Sequence, residues 1–207
     1  MQHTEILSIV AAALTMASAI PYVLDTCSRR TIPHRISWFA FTLLSATATI
    51  AQIRRGADAG AWLTAGSTVA FGIIFLASLR YGVGGVNRSS AFALIVLAVG
   101  IAAWLLTDSP IVAIVAAMVC DAAAISLTVT KAYQQPKSET RSTWLIDGSA
   151  GLIAVLATGE VTAVGALYPL YHVASNASVL VAMSLGGRWR IAHPLEALAR
   201  DLTPTGW

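Results

Sequence analysis

ILSIVAAALTMASAI (Ile6 to Ile20) returns 105 residues later as IVAIVAAMVCDAAAI (Ile111 to Ile125), with eight of fifteen positions identical. Ala, Ile and Val inflate such a score, so the register beyond the match decides its meaning. One added residue in the following loop brings Arg35-Ile36-Ser37-Trp38 onto Arg141-Ser142-Thr143-Trp144. The same offset of 106 then lays Ser78-Leu79 over Ser184-Leu185. A register kept across three apolar segments predicts two related halves. Three helices end on the opposite side of a membrane from where they began, so parallel halves need a fourth helix to return the chain.

Apolar runs at about 6–26, 36–53, 60–79, 90–107, 110–131, 142–158 and 161–185 supply that 3+1+3 plan. The reading is an all-α integral membrane protein with seven transmembrane helices. Residues 1–82 form the first three-helix repeat, 83–108 the linker helix 4, 109–187 the second repeat, and 188–207 a cytoplasmic tail with a short interfacial helix from Pro194 to Leu202. Breaks such as Arg54-Arg55-Gly56-Ala57-Asp58 and Gly82-Val83-Gly84-Gly85 separate the runs, and Asp108-Ser109-Pro110 reads as a cap followed by proline in the first helical turn.

Composition agrees. Of 207 residues, 57% are hydrophobic and 11% charged, against roughly 25% charged in a soluble domain. At about 20 residues per span, seven spans use most of the chain and leave no room for a soluble catalytic domain. The net charge of +3 comes from short basic clusters between apolar runs, without the basic stripe that nucleic acid requires. With the N-terminus outside, Arg29, Arg30, Arg35, Arg80, Arg88, Lys131, Lys137, Arg141, Arg188, Arg190 and Arg200 gather on the inner side, leaving Arg54 and Arg55 outside. Trp62 and Trp104 are then expected at the outer interface, and Trp38, Trp144 and Trp189 at the inner one, as amphipathic anchors. Cys27 in a loop and Cys120 within a helix are read as free thiols. Ala17-Ser18-Ala19 imitates a signal-peptidase site, but the leader lacks positive charge and the segment has its internal relative.

Polar side chains within the runs mark inward faces, because lipid offers them no partner. Thr15, Ser18, Tyr22 and Asp25 form one stripe on helix 1; Thr42, Ser45, Thr49 and Gln52 form another on helix 2. Helix 3 offers Thr64, Ser67 and Thr68, helix 5 Asp121 and Thr128, helix 6 Asp147 and Thr158, and helix 7 Tyr168, His172 and Asn176. Helix 4 has no such stripe, which places it at the periphery. Single Ser and Thr residues are read first as helix-packing groups. Asp121, Asp147 and His172 carry more, since a carboxylate near mid-membrane costs on the order of 3 kcal/mol unless paired, protonated or hydrated. They are separate proton-coupling candidates. The substrate-binding candidates are Asn176, His172, Tyr168, Tyr22, Ser67 and Gln52, of which Tyr168, His172 and Asn176 share one helix face. Pro21 and Pro169 remove backbone donors inside helices and are candidate hinges.

Three helices, a linker and three more, with the N-terminus outside, resemble the SWEET and PQ-loop transporter superfamily over nearly the whole chain up to about residue 187. The stretches Pro33-His34-Arg35-Ile36-Ser37-Trp38 and Lys131-Ala132-Tyr133 resemble a group of bacterial members. Where the superfamily carries a Pro-Gln pair, this chain has Pro21-Tyr22 and Ser126-Leu127, a departure that bears on sugar specificity. The resemblance implies a multi-pass protein of the inner cell membrane, cargo contact by the third-helix Asn176, and flexing at Pro21. Its counterpart in the first half is Ala70, so the implied pocket is asymmetric.

The expected function is transport or facilitated passage of a small polar solute through a midplane cavity between the halves, with proton coupling through Asp121, Asp147 or His172. The alternatives are a seven-helix receptor or sensor and a vitamin-precursor facilitator of the same fold. A retinal protein would need an intramembrane Lys, and Lys131 and Lys137 fall at the inner ends. No Ser-His-Asp order, His-Glu-x-x-His or metal-ligand cluster points to an enzyme, a metal or a cofactor. The expected partners are the solute and the lipid bilayer, with no nucleic acid; self-association is left open.

Overall fold

Each of the seven apolar runs forms a helix, and the boundaries follow local chemistry. In the computed structural model, which describes residues 2–54, 58–107, 110–157 and 163–202, these are α1 (Gln2–Cys27), α2 (Arg35–Arg54), α3 (Asp58–Tyr81), α4 (Arg88–Thr107), α5 (Pro110–Gln134), α6 (Arg141–Ala157) and α7 (Ala163–Ala192), with a short α8 (Pro194–Leu202). A single 3-10 turn, Pro136–Ser138, precedes α6. Among the described residues there are no strands beyond one isolated bridge between His34 and Val83. Of the Asp108-Ser109-Pro110 cap, Asp108 and Ser109 lie outside the described residues, as do Thr158 and the side chains of Gln52 and Trp62.

α1 stops where Arg29 turns left-handed at φ 58°, so that the Asp25 carbonyl accepts the amides of Arg30 and Thr31 at 2.8 and 3.1 Å. Pro33 then blocks helix. His34 caps α2, its Nδ1 accepting the Ser37 amide at 3.4 Å. Asn87 and Ser90 exchange amide and side-chain bonds of 2.8 and 2.9 Å, which closes the start of α4 in the manner of a capping box. The second-repeat boundary expected at residue 187 falls inside α7, which continues to Ala192 before Pro194 opens α8.

The helices pack in a ring. α1 lies on α3, α3 on α2, α2 on α5, α5 on α7, α7 on α6 and α6 back on α1, while among the described residues α4 touches only α5 and α2, from outside. Among the described residues, four helical spans are long and apolar enough to cross a membrane: His3–Cys27, Thr64–Tyr81, Arg88–Thr107 and Val115–Gln134. Large apolar side chains such as Leu24, Leu76, Phe92 and Leu156 point outward. An outer surface of this kind suits lipid and is unlike that of a soluble domain.

The polar stripes of α1 and α2 turn inward, with Thr15, Ser18, Tyr22 and Ser45 buried. Most hydroxyls are satisfied within their own helix: Thr42 donates to Trp38 O at 2.7 Å, Ser45 to Phe41 O at 2.8 Å and Thr68 to Thr64 O at 2.8 Å. These groups favour helix packing, as single Ser and Thr residues generally do.

One expectation is corrected. Trp38 and Trp144, read as interfacial anchors, are 2% and 4% exposed and face each other across the bundle at 6.0 Å between ring centroids. The reason is that each indole N–H finds an internal acceptor: Trp38 Nε1 donates to Tyr22 Oη at 3.1 Å and Trp144 Nε1 to Glu139 Oε2 at 3.1 Å. A satisfied indole gains more from burial than from the interface.

Candidate functional site

The site is built where α6 and α7 approach closely. A Cβ placed on Gly151 would stand 2.9 Å from Val173 Cγ2 and 3.1 Å from His172 Cδ2, so glycine there lets α7 lie against α6. Asp147, one turn earlier on α6, therefore meets two residues one turn apart on α7. His172 Nε2 lies 3.0 Å from Asp147 Oδ2, and Asn176 Nδ2 donates to the same oxygen at 3.1 Å and to His172 O at 3.0 Å. The Thr15 hydroxyl of α1 is turned toward this carboxylate as well. The next face of α7 holds the second carboxylate: Tyr171 Oη and Ser175 Oγ donate to Asp121 Oδ2 of α5 at 2.9 and 3.2 Å.

A cavity of about 30 Å³ adjoins this cluster. It is lined from six helices: Ser18 on α1, Trp38 and Phe41 on α2, Phe71 on α3, Ile125 on α5, and residues of α6 and α7 that include Asp147, His172, Ser175 and Asn176. Helix α4 contributes none of its lining residues. This volume holds one or two waters and no sugar-sized molecule. A larger hollow between α4 and α5, about 510 Å³, is lined by Val, Ile, Ala and Gly with Cys120; it has nothing to recognise a polar molecule.

Beyond the tryptophans the bundle is shut at the end where the basic residues gather. The α1–α2 and α5–α6 loops pair there through Ile32 N to Ser138 O at 3.0 Å and through the Thr31 and Thr140 hydroxyls at 2.5 Å. Lys131 lies beneath them at 0% side-chain exposure, 2.5 Å from Glu139 Oε1, which is equally buried. Its ammonium also donates to Ile32 O and to Ser138 O, the latter at 3.2 Å. The Ile32 contact ties the second half to the first. Burial, with the Lys131 charge added, pushes His34 down from 6.5 to about 4, so its ring is neutral at physiological pH.

The sequence candidates divide accordingly. Asn176, His172 and Asp147 come together. Asp121 joins them through α7, its hydroxyl partners Tyr171 and Ser175 lying beside His172 and Asn176 in the chain. Tyr168 lies one turn further from the basic end, 39% exposed and stacked on the His172 ring at 6.4 Å. Tyr22 is fully buried outside the cavity lining, as the acceptor for Trp38. Ser67 is half-buried on α3 away from the cavity, and the Gln52 side chain lies outside the described residues. Pro21 and Pro169 sit inside α1 and α7, which run through both without interruption. Sequence reasoning missed the aromatic wall and the Lys131–Glu139 pair. The repeat match that superposes Trp38 on Trp144 was the available signal for the first, while nothing local marks the second. No family model, no curated protein and no solved structure matches this chain.

Proposed function

We propose that this chain is a multi-pass membrane transporter or facilitator of a small polar solute, built as two three-helix halves around linker helix α4, with cargo held at Asp147, His172 and Asn176. The observation that carries the reading is the central cavity, drawn from all six repeat helices and from none of α4. The ring supports it further: exchanging α1, α2 and α3 for α5, α6 and α7 leaves every packing pair of the ring unchanged. A pseudo-twofold bundle of this kind can open alternately at either end of a fixed central site. The Asp147–His172 pair places an exchangeable proton beside the cargo, which is the basis for coupling.

Purified protein in liposomes tests the reading. A panel of labelled sugars, amines, nucleosides and vitamins should contain a solute whose saturable uptake falls at least tenfold in Asp147→Asn and rises when a pH gradient is imposed. Flux that ignores the gradient makes the protein a passive facilitator. Absence of flux for the whole panel, with correctly folded protein, replaces transport by the receptor reading.

A further inference from the structure

Two oxygens at the cavity have no hydrogen-bond partner. Asp147 Oδ1 and Asn176 Oδ1 are buried and unpaired, on residues 5% and 3% exposed that both line the cavity. The amide orientation is settled by its surroundings: Nδ2 already donates to Asp147 Oδ2 and to His172 O, and a flip would set oxygen against both. Both orphans are acceptors, so neither can satisfy the other. Thr15 could supply one donor to the carboxylate, and Asn176 Oδ1 would still have none. The missing group is a donor with more than one N–H or O–H.

Charge narrows the choice. The Asp147 carboxylate has one imidazole, beside its Oδ2, and no cation beside its Oδ1 among the described residues. No Lys or Arg is among the described residues that line the cavity, and Lys131 is committed to Glu139. The opposite wall is aromatic: Trp38 lies 5.5 Å from Phe41, 5.6 Å from Phe71 and 6.0 Å from Trp144 between ring centroids. Rings of this kind attract a desolvated cation. An ammonium head, about the size of a water molecule, fits the 30 Å³ space.

We propose that this cavity binds the head of a small organic ammonium ion, which donates to Asp147 Oδ1 and Asn176 Oδ1 and rests against the Trp38–Phe41–Phe71–Trp144 wall. The inference deepens the transporter reading by naming its cargo class, and it rests on that reading for movement though not for binding.

The test is calorimetry and thermal shift on the full chain in lipid nanodiscs, with ethanolamine hydrochloride, its neutral isostere ethylene glycol, and NaCl at matched ionic strength. Ethanolamine should stabilise the wild type while glycol and NaCl do not. Asp147→Asn should weaken ethanolamine at least tenfold and Phe71→Leu a few-fold, with unliganded melting temperatures reporting folding. Asn176→Ala, which removes the second acceptor, serves if Asp147→Asn does not fold. Equal stabilisation by glycol or by NaCl overturns the proposal, as does ethanolamine binding unchanged in Asp147→Asn or Asn176→Ala, or absent in the wild type. The two readings fail separately. Ammonium bound but not carried into liposomes sinks transport alone, whereas a carried sugar without ammonium binding sinks this inference alone.

Discussion

Among the described residues two ion pairs lie inside this bundle, and they differ in burial and in completeness: Lys131 and Glu139 are 0% exposed, whereas the His172 side chain is 25% exposed. At the basic end Lys131 faces Glu139 and two loop carbonyls, and the other Glu139 oxygen accepts the Trp144 indole. At the cavity Asp147 faces His172 and Asn176, yet two acceptors remain open. A buried ion pair repays its desolvation only when hydrogen bonds satisfy its remaining atoms. In the first pair both carboxylate oxygens are answered, Glu139 Oε1 by the Lys131 charge and Oε2 by the Trp144 indole, and the pair holds two loops from different halves together. In the second, Asp147 Oδ1 is not answered, and the open acceptors point to a molecule that arrives. A partner on every carboxylate oxygen therefore separates the lock from the site.

The largest test of this contrast is Lys131→Met. It strands the Glu139 carboxylate and removes the donor shared by Ile32 and Ser138, so unfolding in detergent should report a loss on the order of 3–5 kcal/mol. Adding Glu139→Gln, which keeps an acceptor for Trp144, should recover part of it. A single variant as stable as wild type would remove the lock from the comparison.

A second test uses pH. His34 lies against the lock, neutral because its folded value of about 4 is below the ordinary 6.5. The folded state resists the proton that the unfolded chain accepts, so the contribution is full above 6.5 and is lost as pH falls toward 4. The total is about 3 kcal/mol at about 1.36 kcal/mol per unit. His34→Asn keeps an acceptor for the Ser37 amide and cannot titrate. Its stability should fall less than that of wild type across this window, and parallel curves would show that His34 does not report on the lock.

The helices were legible because lipid imposes a crude rule: every apolar run of sufficient length folds on itself. The α7 face was legible too, since Tyr168, His172 and Asn176 recur every fourth residue. What could not be read was which partner each residue meets. Asp147 and His172 lie on different helices, and their contact depends on Gly151 admitting α7, a packing outcome with no local mark. Lys131 counts among the topology-setting charges because a helix-end Lys looks the same in sequence whether it faces water or a docked loop. Trp38 and Trp144 read as interfacial in sequence for a similar reason. Their indoles turn into the bundle because Tyr22 and Glu139 offer acceptors, and those acceptors come from other elements.

Helix α7 links lock and cavity, and its paired glycines give the finest probe. A Cβ on Gly186 would run into the Tyr133 carbonyl, on the last turns of the helix that carries Lys131, whereas one on Gly187 meets nothing within 4 Å. Gly186→Ala must push α7 off α5, an overpacking cost of about 1–3 kcal/mol. Gly187→Ala pushes nothing and restrains the unfolded chain, so it should gain about 0.5–1 kcal/mol. Two neighbouring methyl groups with opposite signs in the same unfolding assay would place the tight contact on one side of α7. Equal effects would mean that the α5–α7 seam is looser than these distances require, and that the lock rests on its hydrogen bonds alone.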